Sequence, residues 1–493
     1  MFDVLFVRLR SVLAALFAVL FFSCLPKNEV IDSSAPSGRF STDIKPIFDR
    51  NCNSSDCHGG TPHGYAGGMN LTTYKGVFDG SRFGTVVVSE SPFMSHLVQT
   101  INRFDTTLSP VSSVGMPSSR DPLPAQDVEK IVQWIRDGAP DDDGSLPFPD
   151  PRPEGKVFFT SQYTDLVGVL DIRTRLIMRY VTVGNPLPPT GVLQVPHNVA
   201  VDDQGKYFYV TLLNANKVRK YDVATYRLVA EASAGLSPAH VVITADGSKA
   251  YVTNFDSQGR IYVLNTATMT VRKILSAPLS MRQLHGERLS HDGQYLYTAD
   301  TGSDMMSVIE TSTDSIVAHV PLAPDVPVPV GSNVYQPYQV AVRGDDRFIY
   351  VTLYNRGFVS VIERTAQGFV FRELVPVGRN PIQLEVTRNG QYVYVCNSGS
   401  GSVSIIDAQA NTPFAVIDSV GKQPHGIDIT EDDRYAFVTC ENRIAGDPPH
   451  HPLAGSTSPG FLAIIDLARN TVLQRIEVGG YTAGVAITPG RGN

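Results

Sequence analysis

Three spacings of apolar residues divide this chain of 493 residues. Between Ser11 and Phe22 the side chains are almost wholly apolar, a run of twelve that is too short to span a bilayer. From residue 40 to 142 the apolar positions follow a helical period. Ile44, Ile47 and Phe48 stand at i, i+3 and i+4, which predicts a short amphipathic helix with Asp43 as its cap. Val128, Ile131, Val132 and Ile135 share one face of a second helix, and Gly138 is its stop. From about residue 156 the period changes again, to short β-rich runs that recur at roughly 40- to 60-residue intervals.

Each of these later units repeats one grammar. A polar turn such as Ala245-Asp246-Gly247 precedes an aromatic-Val-Thr trio, as at Tyr209-Val210-Thr211, Tyr251-Val252-Thr253, Tyr350-Val351-Thr352 and Phe437-Val438-Thr439. Tyr394-Val395-Cys396 and Tyr297-Thr298-Ala299 are worn copies. An apolar strand follows, then a fourth that closes on Gly. Four short strands at this period predict β-propeller blades. Six units open near Pro196, Pro238, Leu284, Pro337, Pro381 and Pro424. A seventh takes three strands from 156–184 and its first from Gly484–Thr488, which joins the chain ends and removes an exposed edge. The trios, Tyr251-Val252-Thr253-Asn254 above all, resemble the YVTN-repeat propellers.

Candidate chemistry concentrates at Cys52-Asn53-Ser54-Ser55-Asp56-Cys57-His58. Two thiols and an adjacent imidazole suit covalent haem, whose usual spacing is C-x-x-C-H; here four residues separate the thiols. A disulfide or a zinc site is the alternative. Asp43-Ile44-Lys45-Pro46-Ile47-Phe48 before the pair, Met116-Pro117 after it, and Trp134-Ile135-Arg136-Asp137-Gly138-Ala139 in the closing helix together resemble a class I cytochrome c over residues 40–142. The resemblance implies one covalent haem c on Cys52 and Cys57, with His58 as proximal and Met116 as distal iron ligand. Met69 sits where such domains carry a packing residue; Met94, His63 and His96 are the other distal candidates.

Arg8 and Arg10 ahead of the apolar run, and Ser23-Cys24 after it, resemble a bacterial lipoprotein signal. That resemblance implies lipid on Cys24, a membrane anchor, and residence in the bacterial envelope, where haem c is attached. Cys396 and Cys440 remain, in adjacent units; a disulfide is open to them, and buried free thiols are the preferred expectation. With a net charge of −7 and no basic run, no nucleic-acid partner is expected. The organisation is multidomain: signal 1–23, tether 24–39, a small all-α cytochrome c domain 40–142, a Pro-rich linker 143–155, and an all-β seven-bladed propeller 156–490.

Aligned on the trios, the position after each unit's opening residue is His197, Ala239, His285, Tyr338, Ile382 and His425, and the next is Asn198, His240, Gly286, Gln339, Gln383 and Gly426. Equivalent positions of a propeller form a ring at the channel. His197, His285 and His425, with His240 beside them, are therefore candidates for a metal or acid–base site, or else for simple backbone contacts. Related propellers include the haem-d domain of some nitrite reductases, where channel-mouth His act on substrate. The expected function is haem c electron transfer to a redox partner protein, with the propeller as docking platform. The alternative is a periplasmic oxidoreductase whose His-lined channel holds a second metal or a substrate.

Overall fold

The computed structural model describes residues 38–493 apart from 60–66, 83, 105–114, 119–120, 149–154, 187–190, 329, 445, 448–457 and 491–493. Cys24, the signal, His63, and the His450-His451 pair of the long loop in the last unit lie outside the described residues. Among the described residues no helix is long and apolar enough to cross a membrane.

The N-terminal segment folds as α1 (Lys45–Asn51), α2 (Tyr74–Phe78), α3 (His96–Ile101) and α4 (Ala125–Arg136), with a π-helical turn over Phe40–Ile44. The predicted stripe of α4 is buried, and Trp134 joins it, its indole N–H donating to the Pro140 carbonyl at 2.9 Å. Gly138 has φ +98°, which ends the helix as expected. Asp43 does not cap α1. Its carboxylate instead accepts from the Arg39 N–H at 2.7 Å and caps the preceding π turn, while α1 starts at Ile44-Lys45-Pro46 with no side-chain cap.

The rest of the described chain is seven four-stranded sheets. Blade 1 is closed by the C-terminal strand Thr482–Ile487, which pairs with Lys156–Ser161. Blades 2 to 7 open on Pro196–Val201, Pro238–Ile243, Leu284–Leu289, Pro337–Val342, Pro381–Val386 and Pro424–Ile429. Every one of these inner strands carries a bulge. In blade 2, Pro196 pairs with Leu212 and Val199 with Val210, so His197 and Asn198 together face Thr211 alone. The same slip recurs in the other six blades.

The trio residues serve this geometry. The Thr hydroxyl accepts the stranded N–H of the second bulge residue (Asn198 N to Thr211 at 3.0 Å, Gly426 N to Thr439 at 2.8 Å). It then donates to the next blade: Thr160 to the His197 carbonyl at 3.1 Å, and Thr253 to the His285 carbonyl at 2.5 Å. The Tyr hydroxyl reaches a turn of the next blade, as Tyr350 to Asn411 and Tyr394 to Asn470. The Val is fully buried between blades.

The helical segment packs against the propeller flank. Val88, Phe93 and Met94 share one core with Val157, Phe159, Ile177 and Tyr180 of blade 1 and Phe437 and Ile476 of blade 7. Ile177 N–H donates to the Thr85 hydroxyl at 2.6 Å, and Glu90 pairs with Arg179. Cys396 and Cys440 are buried free thiols in the core between blades 6 and 7, and burial pushes the Cys440 thiol up to about 12.

Replacing Thr253 by Val keeps the shape but strands the His240 N–H (3.3 Å from the hydroxyl) and frees the His285 carbonyl. A loss of about 1–3 kcal/mol is expected, measured by urea unfolding; an unchanged midpoint would show that these bonds do not hold the blades.

Candidate functional site: a histidine cluster in the propeller channel

Two local devices aim the channel side chains. The first is the bulge. The second is the residue just before each inner strand, which adopts φ between +49° and +59° in all seven blades: Val195, Ser237, Gln283, Gln336, Asn380, Gln423 and Tyr481. Such a conformation is costly for non-Gly residues, and here it turns the chain so that the next-but-one residue faces the axis.

Blades 2, 4 and 7 are not neighbours in the ring, yet their histidines meet. His197 lies 5.2 Å from His285 and 5.5 Å from His425, ring centre to ring centre. The ring nitrogens of the three come within 4.8 Å of one another. His240 lies tilted at 4.8 Å from His285 and edge-on at 5.7 Å from His197. All four rings are buried.

Their hydrogen bonds form a directed chain. His285 Nδ1–H donates to the Tyr338 carbonyl at 3.1 Å, which leaves its Nε2 as an acceptor. His197 Nε2–H donates to that nitrogen at 3.1 Å. The Gln162 amide in turn donates to His197 Nδ1 at 3.1 Å. His425 stands 3.7 Å from the Glu441 carboxylate, too long for a hydrogen bond. His240 Nε2 is buried without a hydrogen-bond partner.

A second ring borders the first, and sequence reasoning missed it. Gln162, Phe255, Tyr354 and Glu441 each directly follow the second strand of their blade. Phe255 packs edge-on to His285 at 5.6 Å, and Tyr354 stacks on Tyr338 at 5.3 Å. Arg443 pairs with Glu441 at 2.9 Å and lies over the Tyr481 ring at 4.0 Å. The trio alignment that placed the histidines, read one residue past each second strand, would have found Gln162, Phe255, Tyr354 and Glu441. These groups are half-buried apart from buried Gln162 and Glu441 and exposed Arg443, so the buried imidazoles open onto an aromatic rim with one cation and one anion.

Burial drives all four imidazoles to the neutral form. His197 and His285 are held well below the usual range by burial and by their neighbouring imidazoles, and His240 goes down to about 3 for the same reasons. His425 is lowered by burial and pulled part of the way back by Glu441.

In the helical segment Cys52 is buried, Cys57 half-buried, and His58, directly after it, is buried. His58 Nδ1–H donates to the Met69 carbonyl at 3.3 Å, which fixes the ring and leaves Nε2 for a ligand, the arrangement that metal-bound histidines use. The donor set thus fits covalent haem. Met69 packs against the helical core and Met94 lies in the core shared with the propeller. Met116 is 41% exposed and uncommitted to any core. His96 starts α3, half-buried.

The family described as lactonase, 7-bladed beta-propeller, matches residues 152–327. A 6-phosphogluconolactonase of Photorhabdus laumondii subsp. laumondii is 25% identical over 172 residues, 33% of this chain and 51% of the relative. The chain therefore spans about half the length of the curated relative it matches. The structure of the Pseudomonas aeruginosa periplasmic gluconolactonase PpgL aligns with a TM-score of 0.52 at 17% identity, over 67% of this chain and 98% of that one. Kuenenia stuttgartiensis hydrazine synthase aligns at 0.50 and 17%, over 62% and 93%. At such identities the likeness of structure shows the fold, a seven-bladed propeller.

The neutral imidazoles set a pH dependence. The unfolded chain protonates its His below about pH 6.5, whereas His240 resists to about 3. Its contribution is therefore complete above that range and is lost as pH falls through it. Asp300, raised to about 8 by burial, acts the other way and loses its contribution as pH rises. The test is a comparison. The melting temperature of His240→Gln should fall less steeply than that of the unsubstituted chain between about pH 7 and 4; parallel curves would contradict the assignment.

Proposed function

We propose that this chain is a haem c-containing oxidoreductase of the bacterial envelope, anchored by lipid on Cys24, whose substrate binds at the histidine-lined end of the propeller channel. The observation that carries this reading is the convergence of His197, His285 and His425 on one point of the channel. A docking platform, the electron-transfer reading, has no use for a cluster of buried imidazoles, one of which, His240, has its Nε2 unpartnered. The packed contact of Val88, Phe93 and Met94 with blades 1 and 7 supports a fixed relation between the two parts. The exported location rests on the signal pattern together with the likeness to the periplasmic PpgL.

The roles follow from the contacts. A haem held by Cys52 and Cys57, with His58 and Met116 on the iron, supplies one-electron transfer to a redox partner protein. Arg443 offers a cation to an anionic substrate at the rim, oriented by Glu441. His425, next to Glu441 and neutral at pH 7, is placed to take up a proton, and Glu441 stabilises the imidazolium that results. Tyr338 holds His285 in one tautomer.

A second reading has its own support. The lactonase family match and the two lactonase relatives favour hydrolysis of a sugar lactone, with His425 as general base and no role for haem.

One experiment separates them. The chain matured with haem-attachment machinery is expected to carry one covalent haem by pyridine haemochrome, and Cys52→Ala/Cys57→Ala none. The same double variant should lose redox turnover with artificial acceptors. Lactone hydrolysis at an undiminished rate in that variant would establish the second reading instead, and an unsubstituted chain without covalent haem would refute the first.

A further inference from the structure

We propose that His197, His285 and His425 bind a divalent first-row transition-metal ion, zinc or copper, with its remaining position open to the aromatic rim. The inference deepens the reading of the channel as the substrate site and rests on it only for the use of that open position.

Geometry argues first. His197 Nε2 and His285 Nε2 are 3.1 Å apart. Two imidazoles on one tetrahedral zinc, each with Zn–N of about 2.0–2.1 Å, stand about 3.3 Å apart, so this pair is already at ligand spacing. The third ring needs only a small approach, since all three ligand atoms lie within 4.8 Å. The 3.7 Å contact of His425 with Glu441 does not hold it back. Three imidazoles with one open position are the ligand set of catalytic zinc sites, and imidazole also suits copper.

The surroundings argue second. His285 already donates Nδ1–H to a backbone carbonyl, which leaves Nε2 as the ligand atom. His197 differs: with the Gln162 amide as donor, its proton sits on Nε2, where the ion would bind. Turning that amide end for end presents Oε1 to Nδ1–H and releases Nε2. Gln162 is then the partner that sets the tautomer. His240 gives an independent sign. Its Nε2 is buried against the same rings with no partner, a desolvation cost that a water on the ion would relieve.

The test uses the full chain with its haem, stripped by chelator, then titrated with Zn(II) alone and Cu(II) alone. Metal is counted after gel filtration, and haem is counted in the same sample. One equivalent beyond the haem iron is expected, with a Cu(II) spectrum of nitrogen ligation in the copper arm. His285→Ala should abolish stoichiometric retention. Gln162→Met, which removes no ligand, should weaken affinity about 10–100-fold. A haem-loaded chain that retains no further metal overturns the proposal, as does equal retention by the triple variant His197→Ala/His285→Ala/His425→Ala. If the unsubstituted chain is metal-free while His285→Ala still abolishes redox turnover, this inference fails and the functional reading stands. If metal binds but no covalent haem forms, the reverse holds.

Discussion

A hydroxyl group holds this propeller in register. In five blades the Thr that ends the aromatic-Val-Thr trio, or Thr160 in blade 1, accepts a backbone N–H from its own inner strand and donates to a carbonyl of the next. The bulge would otherwise leave that N–H buried and unpaired. The bulge, in turn, is what sends the residue after each opening Pro or Leu to the axis. A bond repeated around the ring for stability is thus also the one that aims the histidines. The departures are informative. Blade 4 has Ala299 at this place, and Thr301, two residues on, bonds the Pro337 carbonyl instead. Blade 6 has Cys396, whose thiol reaches the Gly426 carbonyl only at 4.0 Å; His425 sits on that more weakly fastened strand.

The channel is chemically lopsided. At the far ends of the same inner strands, Arg288 pairs with Glu385, and Arg388 approaches both Glu385 and Asp428. Asp428 also accepts the Ile487 N–H at 2.8 Å. Those charges are spent on one another, around the buried Glu385. The histidine end keeps neutral imidazoles, among them His240 with its Nε2 unpartnered, beneath aromatic faces and the Arg443 guanidinium. The open cleft of about 770 Å³ elsewhere, lined by Lys156, Arg175, Glu431 and Tyr435, lies on the side of the compensated charges. Position along the inner strand, rather than cavity size, therefore locates the chemistry.

Much of this was legible in the sequence because a repeat makes position countable. Seven blades and the histidine register follow from aligning trios. Whether rings from blades 2, 4 and 7 touch did not follow, because channel width depends on how tightly the bulges let the inner strands approach. Glu441 and Gln162 were missed because their shared register, two residues past the aligned Thr, holds a different residue type in each blade. Asp43 was misplaced by one turn because a π-helical turn precedes α1, and only main-chain geometry distinguishes the two. The flank contact was invisible: Met94 reads as a distal-ligand candidate, nothing marks Val88 or Phe93, and their partners come from both ends of the propeller.

That contact ties the two parts of the molecule to one event, the closure of the ring. Phe159 and Ile177 belong to blade 1, Phe437 and Ile476 to blade 7, and the helical segment rests on all four. Blade 1 exists only when Thr482–Ile487 pairs with Lys156–Ser161, an association of strands more than 300 residues apart that carries a large loop-closure entropy. The Thr488 hydroxyl, which accepts the Lys156 N–H at 3.0 Å, belongs to the same latch. Until it closes, the surface under Val88, Phe93 and Met94 is half made, and His197 lacks both the Thr160 bond to its carbonyl and Gln162 on its ring. The segment that bears Cys52, Cys57 and His58 is thus seated by the same strand pairing that completes the histidine cluster. Seating of the helical segment and completion of the histidine cluster therefore depend on the same strand pairing.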